Sequence, residues 1–131
     1  MNIVIVEDCE LINTQLLRMI AAQPLIHVMG CATNAETAVA LILTKHPDVV
    51  LLDLSLAPGN GIEVIKRIRA AGSTARLLVL TNYTSDVLRK TCIELGAAGF
   101  YDKSHEVPAC LNQLFAWSPQ YEQHAFPCPV I

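Results

Sequence analysis

With 131 residues, of which 53% are hydrophobic and 16% charged, the chain holds one globular core and leaves no room for a second domain. A formal net charge of -3 and a pI near 5.7 argue against a phosphate-backbone binder, so nucleic acid is not expected as a direct partner. Five cysteines without a CxxC pair, no signal peptide, and no apolar run near the roughly 18 residues of a membrane span predict a cytoplasmic protein with reduced thiols and no membrane partner.

Taken in chain order, Asn2 to Val6 carries the apolar run Ile-Val-Ile-Val, stops at Glu7-Asp8 and predicts a buried strand delivering acid to its carboxyl end. From Cys9 to Gln23, Ile12, Leu16, Met19 and Ile20 share a helical face opposite Thr14 and Arg18, and Pro24 ends the helix. Leu25 to Ala32 predicts a short strand. Asn34 is the expected N-cap of a helix over Ala35 to Lys45, with Glu36 in its first turn. The segment from Asp48 to Leu54 has no polar alternation until Asp53, which marks a strand covered by helices on both faces and therefore a parallel sheet.

The turn cluster Ser55 to Gly61 then opens a helix through Ala71 with Ile62, Ile65 and Ile68 inward, broken by Gly72-Ser73. Arg76 to Leu80 predicts a fourth buried strand ending at Thr81, followed by a helix from about Ser85 to Leu95. Gly99 to Asp102 predicts a fifth strand ending at Lys103. A last helix starts near Glu106 or Pro108 and runs to Trp117. The boundary expected from this reading is a domain over 1–117 and an irregular tail over 118–131 carrying Pro119, Pro127 and Pro129.

Five repeats of strand then helix make an α/β doubly wound five-stranded parallel sheet, a (βα)5 arrangement, and placing the most apolar strands centrally gives the order 2-1-3-4-5. In that order the first and third strands are neighbours at the switch point, so Glu7, Asp8 and Asp53 converge, with Thr81 and Lys103 arriving from the next strands. Three carboxylates in one pocket require a cation. Hard oxygen donors suit Mg²⁺, and Lys103 adds the remaining positive charge.

Singly, each residue has an ordinary reading: Thr81 as a strand-end cap, Lys103 as a surface lysine, Phe100 as core. As an ordered set at successive strand ends they resemble the receiver domain of two-component response regulators, a flavodoxin-like fold, over residues 2 to about 117. The resemblance implies that Asp53 is the phosphoacceptor, served by a sensor histidine kinase or phosphotransfer protein. It implies Glu7, Asp8, Asp53 and the Ser55 backbone carbonyl as the magnesium site, Thr81 as the switch hydroxyl and Lys103 as the phosphate-pairing ammonium. Gly61, eight residues after Asp53, matches the family's loop, and Phe100, three before Lys103, stands where the family has its rotating aromatic.

The same chemistry follows from the residue types. A carboxylate can attack a phosphoryl group in line, forming an acyl phosphate, if metal and lysine neutralise the other oxygens. The new dianion attracts the Thr81 hydroxyl, whose movement vacates space that Phe100 can fill, so the output is a changed protein-binding face and the chain is not expected to be an enzyme, although it would catalyse its own phosphorylation and dephosphorylation. That face, built from the helix at 85–95, the fifth strand and the last helix, is expected to bind a downstream protein and could pair two copies as a homodimer. Ser55 and Tyr83, two residues after Asp53 and Thr81, are expected to set the lifetime of the phosphorylated form, Tyr83 by shielding it from water.

Ser104 stands where many receivers have proline after the lysine, and Pro58 lies five residues after Asp53 rather than four. Two other readings compete with a receiver acting alone. A pseudo-receiver used only for binding would not need the full acid, Thr and Lys set. A phosphohydrolase with an aspartyl nucleophile needs a second Asp where this chain has Ser55.

Overall fold

The structure, a computed structural model, describes residues 1–119; the expected tail over 118–131 lies mostly outside the described residues. Five strands, β1 (Asn2–Val6), β2 (His27–Ala32), β3 (Val49–Leu52), β4 (Arg76–Thr81) and β5 (Gly99–Asp102), form one parallel sheet in the order β2-β1-β3-β4-β5. All four pairings are parallel, with Val6 opposite Leu52 and Leu52 opposite Val79, so the carboxyl ends of β1, β3 and β4 lie side by side. This is the architecture and strand order expected from the sequence. Among the described residues no helix is long and apolar enough to cross a membrane.

The helices are α1 (Glu10–Ile20), α2 (Ala35–Lys45), α3 (Gly61–Ala70), α4 (Asp86–Glu94) and α5 (Val107–Ala116). Strand side chains alternate between two cores, as the period of 2 requires. Val4, Val6, Val50, Leu52, Leu77 and Val79 pack with Ile42, Ile65 and Ile68 on one face, while Ile3, Ile5, Leu51, Leu78 and Leu80 pack with Leu16, Ile20 and Leu114 on the other. The central strands are buried on both faces. β2 is an edge strand with exposed His27, Met29 and Cys31.

Several expected boundaries move inward. α1 begins at Glu10, because Cys9 is an extended N-cap, and ends at Ile20 rather than Gln23. Met19, expected inward, is 49% exposed; Leu17 takes its place against the core beside Ile12, Leu16 and Ile20. Leu25 and Ile26 belong to the turn before β2, where the Leu25 carbonyl accepts the N-terminal ammonium at 2.7 Å. Asp48 precedes β3 and accepts the Asn2 N–H at 2.8 Å. The caps fall where side-chain acceptors were available: Asn34 accepts from Thr37 N–H, Asn60 from Glu63 N–H and Ser85 from Leu88 N–H. Ser118, placed in the tail by its sequence, is buried.

Candidate functional site

The acidic pocket is built by the carboxyl ends of three strands. Glu7 follows β1 and is fixed by its own N–H donating to the Ala32 carbonyl at 2.9 Å. Asp53 follows β3, and its N–H donates to the Val6 carbonyl at 3.0 Å. Both carboxylates are 3% exposed, whereas Asp8 faces solvent. Oxygens of Glu7, Asp8 and Asp53 lie within 4.8 Å of one another.

Lys103, at the end of β5, has its N–H on the Thr81 carbonyl at 2.9 Å and sends its ammonium into the pocket. Nζ lies 2.7 Å from Glu7 Oε1 and 2.8 Å from Asp53 Oδ2, with its side chain 8% exposed. Backbone groups occupy the other carboxylate oxygens: Cys9 N–H donates to Glu7 Oε2 at 3.1 Å and Ser55 N–H to Asp53 Oδ1 at 3.0 Å.

One ammonium among three carboxylates leaves an excess of negative charge. Burial pushes the Glu7 carboxyl above its ordinary value, and the Lys103 and Cys9 hydrogen bonds only partly offset it. Burial alone would lower the Lys103 ammonium, but its bonds to Asp53 and Glu7 outweigh burial and the net shift is upward. The donor set, all carboxylate oxygen with one member open to water, fits a small hard divalent cation that retains waters.

The loop after Asp53 depends on a glycine. A Cβ on Gly61 would sit 2.6 Å from the Asp53 carbonyl oxygen and 2.7 Å from Leu54 Cα, so only glycine lets α3 start against the residue that carries the carboxylate. Gly61 N–H donates to the Leu54 carbonyl at 3.0 Å and closes the loop. The Ala57–Pro58 peptide within it is cis, and Lys103–Ser104 is not.

Thr81 is fully buried, and its Oγ1 accepts the Tyr83 N–H at 3.2 Å. The Tyr83 side chain points largely to solvent, 57% exposed. Phe100 lies at 4% exposure in the α2–α3–α4 core. Two contacts were not legible in the sequence. Ser104 Oγ donates to Asn82 Oδ1 at 3.1 Å, joining the loops after β4 and β5. The Arg89 guanidinium stands 4.8 Å over the Phe100 ring and donates to the Phe100 carbonyl at 3.1 Å. A cation eleven residues upstream leaves no local pattern.

The sheet order and this pocket define an open α/β domain with its site at a topological switch point. The family model of the response regulator receiver domain matches residues 3–114, and the chain belongs to that family. It is 34% identical over 102 residues to the DNA-binding transcriptional activator DevR/DosR of Mycobacterium tuberculosis, covering 78% of this chain and 47% of that relative. The chain thus spans about half the length of the curated relatives it matches. Among solved structures, a LuxR-family two-component response regulator from an Aurantimonas species is 29% identical with a TM-score of 0.76, covering 93% of this chain and 92% of that one. The response regulator domain of Thermotoga maritima CheB shares the fold at a TM-score of 0.80, with 24% identity, covering 86% of this chain and 92% of that one.

Proposed function

We propose that this receiver accepts a phosphoryl group on Asp53 from a phosphohistidine of a sensor kinase or phosphotransfer protein and relays the change to a downstream protein. The observation that carries this is the pairing of a buried Asp53 with Lys103 at 2.8 Å, beside Glu7 and Asp8 whose oxygens converge on the same point. In the transfer, an Asp53 oxygen bonds to phosphorus as the bond from phosphorus to the donor imidazole nitrogen breaks, and the electron pair returns to the imidazole. Lys103 is placed to exchange its contact with Asp53 for one with the new phosphoryl oxygens. Glu7, Asp8, Asp53 and the Ser55 carbonyl would hold Mg²⁺, which neutralises phosphoryl charge when bound.

Thr81 and Phe100 are the proposed switch pair, and the surface of α4, β5 and α5 is the proposed output and pairing face. On α4, Val87 is 74% and Ile93 50% exposed, which suits a protein partner. Ser55 in the loop after β3 and Tyr83 in the loop after β4 are proposed to modulate lifetime; faster first-order decay of the phosphorylated form in Tyr83→Ala supports shielding, and unchanged decay rejects it.

The direct test is incubation with acetyl phosphate and Mg²⁺ followed by intact mass. The expected result is one phosphoryl adduct in the wild type and none in Asp53→Asn. An adduct that persists in Asp53→Asn, or no adduct in the wild type, rejects the reading.

A further inference from the structure

Arg89 grips one residue twice. Its Nη1 donates to the Phe100 carbonyl at 3.1 Å, and the same guanidinium lies 4.8 Å from the centroid of the Phe100 ring. An exposed arginine ordinarily samples many rotamers, so a stack alone would be loose. Here the carbonyl anchors the planar cation over the ring face, where the quadrupole of the aromatic attracts it. The ring below is 4% exposed and packs into the core that includes Val79 and Cys92. Neither contact involves Glu7, Asp8, Asp53, Thr81 or Lys103, so the inward seat of Phe100 has a support that is independent of the acidic pocket.

We propose that Arg89 is a positioning residue for Phe100, a clamp on α4 that holds the aromatic inward and biases the output face toward its switched arrangement before any phosphoryl group arrives. If the ring swings outward, the carbonyl bond keeps the guanidinium in place and the face contact is lost. The clamp therefore penalises the outward ring specifically. Because phosphoryl uptake and the inward ring belong to one coupled equilibrium, a larger inward population also raises the competence of Asp53. This step rests on the Asp53 reading above, but the clamp itself does not.

The test uses the full chain without phosphodonor. Three-bond couplings of Phe100 report χ1: the wild type should show a single rotamer. Arg89→Met keeps an aliphatic stem but removes the cation, and should give averaged couplings with amide shift changes over Gly99 to Asp102. Arg89→Lys retains charge without the planar fork and should fall between the two. With acetyl phosphate and Mg²⁺, uptake should slow by about two- to fivefold in Arg89→Met and recover in part in Arg89→Lys. Methyl resonances of Ile65 and Leu78 verify that the core is intact. Phe100 couplings unchanged in both variants overturn the clamp. A wild type that takes up no phosphoryl group defeats the Asp53 reading and leaves the rotamer measurement to decide the clamp.

Discussion

Lys103 and Arg67 each stand between two carboxylates, and their surroundings separate what the two groups can do. Lys103 reaches Glu7 at 2.7 Å and Asp53 at 2.8 Å, with side chains 8%, 3% and 3% exposed. Arg67 of α3 reaches Glu36 of α2 at 3.1 Å and Glu63 at 4.0 Å, with side chains 41%, 80% and 47% exposed. In the first group water reaches a charge that loses its partner only through the opening at Asp8; in the second it reaches it freely. The buried group also carries an imbalance, since Asp8 adds a third acid nearby. Unequal buried charges cost stability, and the proposed cation and phosphoryl group would redress the imbalance.

Removing Lys103 should have the largest effect. Lys103→Met leaves Glu7 and Asp53 facing each other without a counter-charge, and the expected loss is on the order of 2 to 4 kcal/mol in urea unfolding at pH 7, toward the low side of what breaking a fully buried pair costs because Asp8 opens the pocket to water. Phosphoryl uptake should fall with it. Stability within about 0.5 kcal/mol of wild type would mean that the buried cluster is screened as the surface one is.

The opposite substitution sharpens the comparison because its sign is reversed. Glu7→Gln removes one of the two buried anions and leaves Lys103 paired with Asp53. Burial raises the Glu7 carboxyl above its ordinary 4.5, so the folded state holds that proton more tightly than the unfolded chain does. The stability linked to this proton is complete below pH 4.5 and is lost as pH climbs through the folded value. As Glu7 loses its proton the fold weakens, so Glu7→Gln should be more stable than wild type at pH 7, with the gain shrinking as pH falls toward 4.5. Urea titrations without metal at pH 7 and pH 4 measure it. A variant less stable than wild type at pH 7 would show that the Lys103 and Cys9 bonds to Glu7 outweigh its burial.

Which of these charges mattered was partly legible in the sequence. Apolar runs ending in Glu7-Asp8 and Asp53 identify strand ends, and in a parallel sheet those ends share an edge, so convergence of the acids followed from topology. Asn34 announced a helix start by residue type, and β1, β3 and β4 appeared where β-branched and leucine runs lay. The misses share a cause. Met19 belongs to the apolar set of α1, yet its exposure is decided by which neighbour, Leu17, fits against the facing core. Arg89 over Phe100 and Ser104 on Asn82 depend on how α4 and two loops pack on β5, which no local period encodes. The Glu36 to Arg67 contact crosses 31 residues and joins two helices by side chains whose spacing carries no pattern.

The surface group should give the smallest response. Arg67 at (i, i+4) from Glu63 has the favourable orientation, acid toward the helix N-terminus, but such pairs contribute only about 0.3–0.5 kcal/mol. Its closer contact with Glu36 must immobilise a side chain that is 80% exposed, and the rotamer entropy lost offsets much of the attraction. Screening then decides the remainder. At 1 M salt the Debye length is about 3 Å, close to the separation of the pair, so little of its attraction should survive. Arg67→Ala is expected to cost less than about 1 kcal/mol at low salt and less still at 1 M. A double-mutant cycle with Glu36→Ala should return a coupling below about 0.5 kcal/mol. A coupling well above 1 kcal/mol that persists at 1 M salt would place the α2–α3 contact among interactions water cannot reach, and the contrast with Lys103 would no longer rest on burial.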